Sequence, residues 1–251
     1  MKVARRVLRG PRRSNAPGLP DWRIGGEKAW LWVAATDDAN LYDVARGRGF
    51  EQATGLVPAD YAGVIVRDGW VVYNSYDKAS HQSCLAHHHL LRRCHEMAED
   101  LPAWARSTPR LLAELLGEAL DARDLDAPGR AAALDDIGER LDLVLGQPHP
   151  HDANRRLVKH LAHERHALFT FLTTDGVDAT NYRGEQGVRP AVVNRKVWGG
   201  NRTDPGAETQ GRVMTFLRTA HQQGVDATAA LVDLARAPDP GVVAGLTLRS
   251  G

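Results

Sequence analysis

Residues 61 to 70 read YAGVIVRDGW, and what this stretch forms decides the fold. Gly63 to Val66 is an apolar run rich in β-branched side chains, short and bounded by Asp-Gly, so it reads as a buried strand. It delivers Arg67 and Asp68 at its C-terminal end, where α/β folds present their chemistry. An Asp-Gly after a strand is also an ordinary turn, so the surrounding sequence has to decide between the two.

Upstream, AWLWVAAT (Ala29 to Thr36) is an apolar run of strand length, DDAN is a turn, and LYDVAR (Leu41 to Arg46) alternates apolar with polar residues. Together they predict an antiparallel pair, followed by a helix from Gly49 to Leu56. The tryptophans Trp22, Trp30, Trp32 and Trp70 lie in or beside these strands and read as packing residues. The first 21 residues are basic, contain Pro11, Pro17 and Pro20, lack periodicity, and are expected to be a disordered leader.

Downstream the period changes. From Gln82 to Phe171, leucines and alanines recur at helical spacing in CLAHHHLLRRCHEMAEDL, TPRLLAELLGEALDARDL, GRAAALDDIGERLDLVLG and ANRRLVKHLAHERHALFTFL, which predicts an all-helical block over residues 82–171. No internal repeat is evident. The C-terminal segment 225–251 is expected to be a loose tail, and beyond Ala237 it is rich in Pro and Gly.

Between block and tail lies TNYRGEQGVRP (Thr180 to Pro190). Asn181 is suited to cap a helix and Pro190 to end one, so a short helix carries Glu185 between Arg183 and Arg189. A short apolar segment, the loop around Gly199 and Gly200, and a helix from about Pro205 to Gln223 ended by Gly224 follow. Between Arg183 and Arg202 the cations Arg183, Arg189, Arg195, Lys196 and Arg202 face a single acid, Glu185. Such a run suits a phosphate-bearing partner, because cationic side chains release counterions condensed on nucleic acid; a solvated helix face has the same composition. Trp198, among Gly199, Gly200, Asn201 and Arg202, reads as an exposed ring able to contact a base or the backbone of DNA.

Composition bounds the classes. With 251 residues, 43% hydrophobic content and a net charge of +1 from 32 Lys+Arg against 31 Asp+Glu, the chain reads as soluble and globular. No apolar run approaches the roughly 18 residues of a membrane span, and the basic N-terminus lacks the apolar stretch of a secretory signal. A cytoplasmic location with no membrane partner is expected. Two cysteines cannot build a disulfide framework; Cys84 and Cys94 sit among His87, His88, His89 and His95 and read as reduced thiols or a metal site. On one helix Cys84, His87 and His88 converge while Cys94 lies more than two turns away, so packing is the better reading.

Taken in series, WRIGGEKAWLWVAAT, AGVIVRDGWVVY, HQSCLAHHHLLRR, TNYRGEQGVRPAVVNRK and GGNRTDPGAETQGRVMTFLRTAHQQG resemble the catalytic half of the DDE transposases of the insertion sequence 66 family, from Trp22 to about Ala230. The resemblance implies an α/β fold with an RNase H-like mixed-sheet core interrupted by an inserted all-helical subdomain. Residues 22–81 would be the first part of the core, 82–171 the insertion, and 172–224 the second part with the glutamate helix and basic loop. It also implies one or two Mg2+ or Mn2+ ions and cut-and-join chemistry on double-stranded DNA, at element ends and target. Asp68 matches the second acid of the triad and Glu185 the third, as catalytic residues and metal ligands. Arg189, Arg195 and Lys196 match basic positions beside the glutamate, and with Arg183 and Arg202 they form the expected DNA-binding set. Cys84 and His87 match a Cys-x-x-His pair with a structural role.

The first acid is where the sequence departs from the family. The family's aspartate stands four residues before the tryptophan of WRIGG, and here that position is Gly18. Asp21 would substitute only through a register slip, and an odd slip turns a strand side chain to the opposite face. The segment before Trp22 is therefore read as outside family sequence, as a frameshift, an internal start or a decayed element would leave it. The family's further N-terminal zinc- and DNA-binding parts are not in this sequence either. The expected function is a transposase catalytic fragment impaired in cleavage and strand transfer. The alternative is an inactive remnant that binds DNA, self-associates or joins an intact transposase. A small zinc-binding helical protein is a third reading, which the strand-end aspartate and basic loop oppose.

Overall fold

The computed structural model describes residues 2–5, 22–68, 70–85 and 90–236, those of 2–5 as backbone only. The protein is mixed α/β, and the chain falls into two compact units. One takes in Met1–Gly63, Trp70–Ala79 and Tyr182–Gly251; the other takes in Val64–Gly69 and Ser80–Asn181. Elements are numbered along the chain.

The first unit is built on strands β1 (Lys2–Arg5), β4 (Trp30–Ala35) and β5 (Asn40–Ala45), with a small hairpin of β2 (Arg23–Ile24) and β3 (Glu27–Lys28). The expected antiparallel pair is present, with Trp30 opposite Ala45 and Ala35 opposite Asn40. On its other side β4 pairs antiparallel with β1, Ala4 opposite Ala35. The leader expected to be without structure thus contributes a strand over Lys2–Arg5. Flanked on both sides, β4 is buried along nearly its whole length, whereas β5 alternates buried with half-buried.

Two helices cover these strands: α7 (Tyr182–Trp198) and α8 (Asp204–Gln222). Close approach of α7 rests on Gly187, where a Cβ would stand 2.9 Å from Asn40 Oδ1 and 3.1 Å from Val33 Cγ1; Tyr42 donates its hydroxyl to the Gly187 carbonyl. The helix does not stop at Pro190 as expected but runs on to Trp198. Proline removes one backbone donor and crowds the preceding turn, and burial of Gly184, Gly187, Val188 and Ala191 holds the helix together across it. Trp22, Ile24, Leu31, Val33, Tyr42, Val44, Val188, Ala191 and Met214 form the core.

Helix α8 closes the edge of β5 in a specific way. The Thr215 hydroxyl accepts from the Tyr42 amide at 2.9 Å and the Thr219 hydroxyl accepts from the Asn40 amide at 3.2 Å. Four helical residues rise about 6 Å and two strand residues about 6.6 Å, so threonines one turn apart match alternate amides of an edge strand. Gly211 continues the stripe, its missing Cβ leaving room for the Tyr42 carbonyl, which would otherwise stand at 2.9 Å. Gly224, at φ +69°, terminates α8, as the sequence predicts. The unit also holds two shorter helices, α1 (Phe50–Thr54) and α9 (Ala227–Arg236), and a 3-10 turn over Val71–Ser75; α9 lies inside the segment 225–251 that the sequence reads as loose.

The second unit contains β6 (Val64–Arg67), the strand expected from YAGVIVRDGW, and a parallel neighbour β7 (Ser80–Ser83), Arg67 opposite Ser83. The sequence predicts helix from Gln82; the structure makes Gln82 and Ser83 part of a strand. Four polar residues, SHQS, carry no apolar signal. The last three are buried, and hydrogen bonds serve them there: Gln82 donates to Leu168 O and accepts from Phe171 N, and Thr170 donates to His81 O. The helical block follows as α2 (Leu90–Asp100), α3 (Ser107–Ala122), α4 (Ala127–Gly146), α5 (Asp152–Glu164) and α6 (Thr170–Thr173). Leu112, Leu115, Leu116, Ile137, Leu141, Leu157 and Leu161 are buried within it. The Asp126 side chain caps α4 by accepting from Gly129 N. Residues beyond 236, including the rest of the expected loose tail, lie outside the described residues.

Candidate active site

Asp68 stands half-buried directly after β6. The residue before it is fully buried: Arg67 has 0% side-chain exposure and its Nη1 lies 2.8 Å from Glu164 Oε2, itself 2% exposed. The Ser83 hydroxyl donates to the same carboxylate oxygen at 2.9 Å. The strand end that presents Asp68 is therefore tied to the last residue of α5 and, through Ser83, to β7. Breaking such a pair leaves an uncompensated buried charge. Nearby His160 titrates below its ordinary range, because burial disfavours the imidazolium and Arg93 repels it.

Glu185 lies in the first turn of α7, half-buried, where the helix dipole favours a carboxylate. On a helix, positions 185, 189 and 196 fall on one stripe, and Arg189 and Lys196 are both exposed there. Arg183 projects from another side and is ion-paired with Asp37. Arg195 corrects the expected basic set: continuation of α7 past Pro190 turns it onto the core-facing stripe with Val188 and Ala191, and it is only 6% exposed. A buried guanidinium is unavailable to a DNA backbone. Arg202, in the loop after α7, is exposed.

Cys84 is buried, and its Sγ accepts the Asn181 amide at 3.2 Å, joining the end of β7 to the residue that precedes the Glu185 helix. Cys94 is buried in α2, where desolvation pushes its thiol up to about 12; both cysteines are free thiols. His87, Gly18 and Asp21 lie outside the described residues. Among the described residues no three His, Cys, Asp or Glu side chains gather as a metal site. Asp68 belongs to the second unit and Glu185 to the first.

Sequence reading missed Glu164 and Ser83, since neither belongs to a recognisable motif. It also missed the role of Asn201, whose side chain accepts from Trp22 Nε1 at 2.7 Å and donates to Gly206 O at 3.1 Å. Among the described residues no helix is long and apolar enough to cross a membrane.

Comparison with known proteins follows the same residues. A model of the transposase IS66 family matches residues 18–209, a range that holds Asp68 and Glu185 and begins at Gly18. The chain is also similar to the uncharacterized protein y4qI of Sinorhizobium fredii (strain NBRC 101917 / NGR234), with 25% identity over 258 residues, covering 89% of this chain and 47% of that protein. The chain thus spans about half the length of this relative. No solved structure matches it. With the family model covering well over half of its residues, the chain belongs to the transposase IS66 family.

Proposed function

We propose that the protein is a transposase catalytic fragment whose chemistry is divalent-metal-dependent cleavage and joining of DNA phosphodiester bonds, in the cytoplasm, at element ends and target. The observation that carries this reading is the family match over residues 18–209, within which a strand-end aspartate and a helix-borne glutamate carry the flanking sequences of the family's second and third acids. The proposed architecture is RNase H-like. The antiparallel strands β1, β4 and β5 of one unit and the parallel pair β6 and β7 of the other supply the two kinds of strand pairing that such a mixed-sheet fold contains, with the helices from Leu90 onward as an insertion.

Asp68 and Glu185 offer the hard carboxylate oxygens that Mg2+ or Mn2+ takes, and both are half-buried rather than lost in the core. A bound divalent ion supplies Lewis-acid stabilisation of charge developing on the phosphate. Arg189, Lys196 and Arg202 orient the DNA backbone through phosphate contacts that carry no sequence information. Asp68, held at its strand end by the Arg67–Glu164 pair, keeps a fixed position relative to β6.

The missing first acid favours an impaired enzyme. Gly18 offers no carboxylate where the family has one, and loss of one electrostatic stabiliser commonly costs on the order of a hundredfold or more in rate. The test compares the purified chain with its Gly18→Asp variant on element-end DNA in Mg2+ or Mn2+. The expected result is DNA binding by both and substantial cleavage only by the variant. Equal cleavage would mean that Asp21 or another acid supplies the ligand, and absence of binding by either would sink the reading.

A further inference from the structure

The first unit contains a second feature suited to nucleic acid, built from the β2–β3 hairpin and the loop that leaves α7. Arg23, Gly25, Trp198, Gly200, Asn201 and Arg202 line a cavity of about 310 Å3. Its walls are fixed by backbone. The Gly25 amide donates to Asn201 O at 2.8 Å, the Asn201 amide donates to Arg23 O at 2.9 Å, and the Asn201 side chain is held by Trp22 and Gly206 as described. Gly200 sits at φ +133°, and a Cβ there would lie 2.4 Å from the Arg23 carbonyl, so only glycine lets the loop close onto the hairpin.

The chemistry of the lining is unusual for a structural joint. Trp198 is 50% exposed at the end of α7, an apolar face left open beside two cations. Arg23 donates to Gly26 O at 2.7 Å, and neither it nor Arg202 has a carboxylate partner among the described residues. The nearby acids Glu27 and Asp204 are both bound to Arg46. A flat π-face next to unpaired guanidiniums is complementary to a nucleotide: the base stacks, and the phosphate meets the cations. A base inside a duplex is stacked on both faces, and a terminal pair exposes only a face shared by two bases too wide for one ring, so the cavity favours a single unpaired base.

We infer that this cavity binds a single unpaired nucleotide of the DNA substrate, with its base on Trp198 and its phosphate at Arg23 and Arg202. This rests on the transposase reading and adds to it a site for a frayed or single-stranded end, lined by none of the proposed carboxylate ligands.

The test uses fluorescence anisotropy with two labelled oligonucleotides of the same sequence, one a blunt duplex and one ending in a short single-stranded overhang. The proteins are the full chain and its Trp198→Ala, Trp198→Phe and Arg202→Gln variants. Trp198→Ala is expected to lose about tenfold in affinity for the overhang DNA with little change on the blunt duplex, and Trp198→Phe to recover most of it. Arg202→Gln, an exposed change that leaves the fold intact, is expected to lower overhang affinity and its salt dependence. Equal losses on both DNAs, or none, overturn the cavity while leaving the transposase reading standing. A parent chain that binds neither DNA overturns both.

Discussion

Arg67 Nη1 and Glu164 Oε2 stand 2.8 Å apart with their side chains 0% and 2% exposed, an ion pair sealed from solvent one residue before Asp68. Removing one partner of such a pair costs about 3–5 kcal/mol, whereas replacing both with apolar residues of similar volume is often neutral. Glu164→Ala should therefore destabilise the protein by several kcal/mol, and Arg67→Met with Glu164→Leu should recover much of the loss. Urea unfolding followed by circular dichroism measures both. If the double variant is as unstable as the single one, the pair is needed for its geometry and not merely for neutrality.

The same neighbourhood gives a pH dependence. Burial and Arg93 lower the pKa of His160 from its ordinary value, against the raising influence of Glu164. The unfolded chain then binds more protons than the folded one just below the ordinary histidine pKa of about 6.5. Stability carried by neutral His160 is complete above that pH and declines as pH falls from there through the depressed folded value. Unfolding free energy measured between pH 8 and pH 5 should fall on the acid side, with a smaller slope in His160→Gln. An unchanged slope would assign the acid sensitivity to other groups.

Edge protection of β5 is open to a direct test. Thr215 and Thr219 accept the Tyr42 and Asn40 amides, and valine has the same shape without the acceptor. Each leaves a largely buried amide unsatisfied, at about 1–3 kcal/mol. Thr215→Val and Thr219→Val should each lower the unfolding midpoint, and amide hydrogen exchange at Tyr42 and Asn40 should accelerate selectively. Valine variants as stable as the parent would show that the threonines fill space only.

The elements legible in the sequence are those whose signal is apolar and local. β4, β5 and β6 follow from Ala29 to Thr36, Leu41 to Arg46 and Gly63 to Val66 because burial of β-branched and aromatic runs needs no partner to be recognised. β7 is illegible because His81, Gln82 and Ser83 are buried with hydrogen bonds to Leu168, Phe171, Thr170 and Glu164, which sequence distance conceals. Helix α7 was cut short at Pro190 since a local rule outweighed packing that only tertiary structure supplies. The error had a consequence at the site: with the helix ended, Arg195 counts as one more loop cation. Val188, Ala191 and Arg195 at helical spacing were the available clue that it faces inward.

Asp68 and Glu185 come from different compact units, and the proposed chemistry uses each as a carboxylate ligand for a divalent ion. Mn2+ titration followed by electron paramagnetic resonance should detect binding by the full chain, weakened in Asp68→Asn and in Glu185→Gln, and abolished in the double variant. Chelation should release the ion without unfolding the protein, since the buried cores are built of apolar side chains and not of the proposed metal ligands. If either single variant binds Mn2+ as the parent does, that carboxylate is not a ligand.

The basic residues of α7 separate into two kinds, and binding measurements should divide them. Arg189 and Lys196 are exposed on the Glu185 stripe, whereas Arg195 is 6% exposed on the core-facing stripe with Val188 and Ala191. Each phosphate contact contributes about one to the slope of log affinity against log salt. Arg189→Gln and Lys196→Gln should therefore weaken DNA binding at low salt, flatten that slope by about one each, and leave the thermal midpoint nearly unchanged. Arg195→Gln should do the reverse: the midpoint falls because a group seated among Val188 and Ala191 is replaced, while the salt slope of the folded protein stays as it was. Measured together, the three variants distinguish a phosphate-facing stripe from a general effect of charge, because all three remove the same single positive charge. Equal slope changes in all three would mean that DNA senses only net charge, and the assignment of a binding face to α7 would fall.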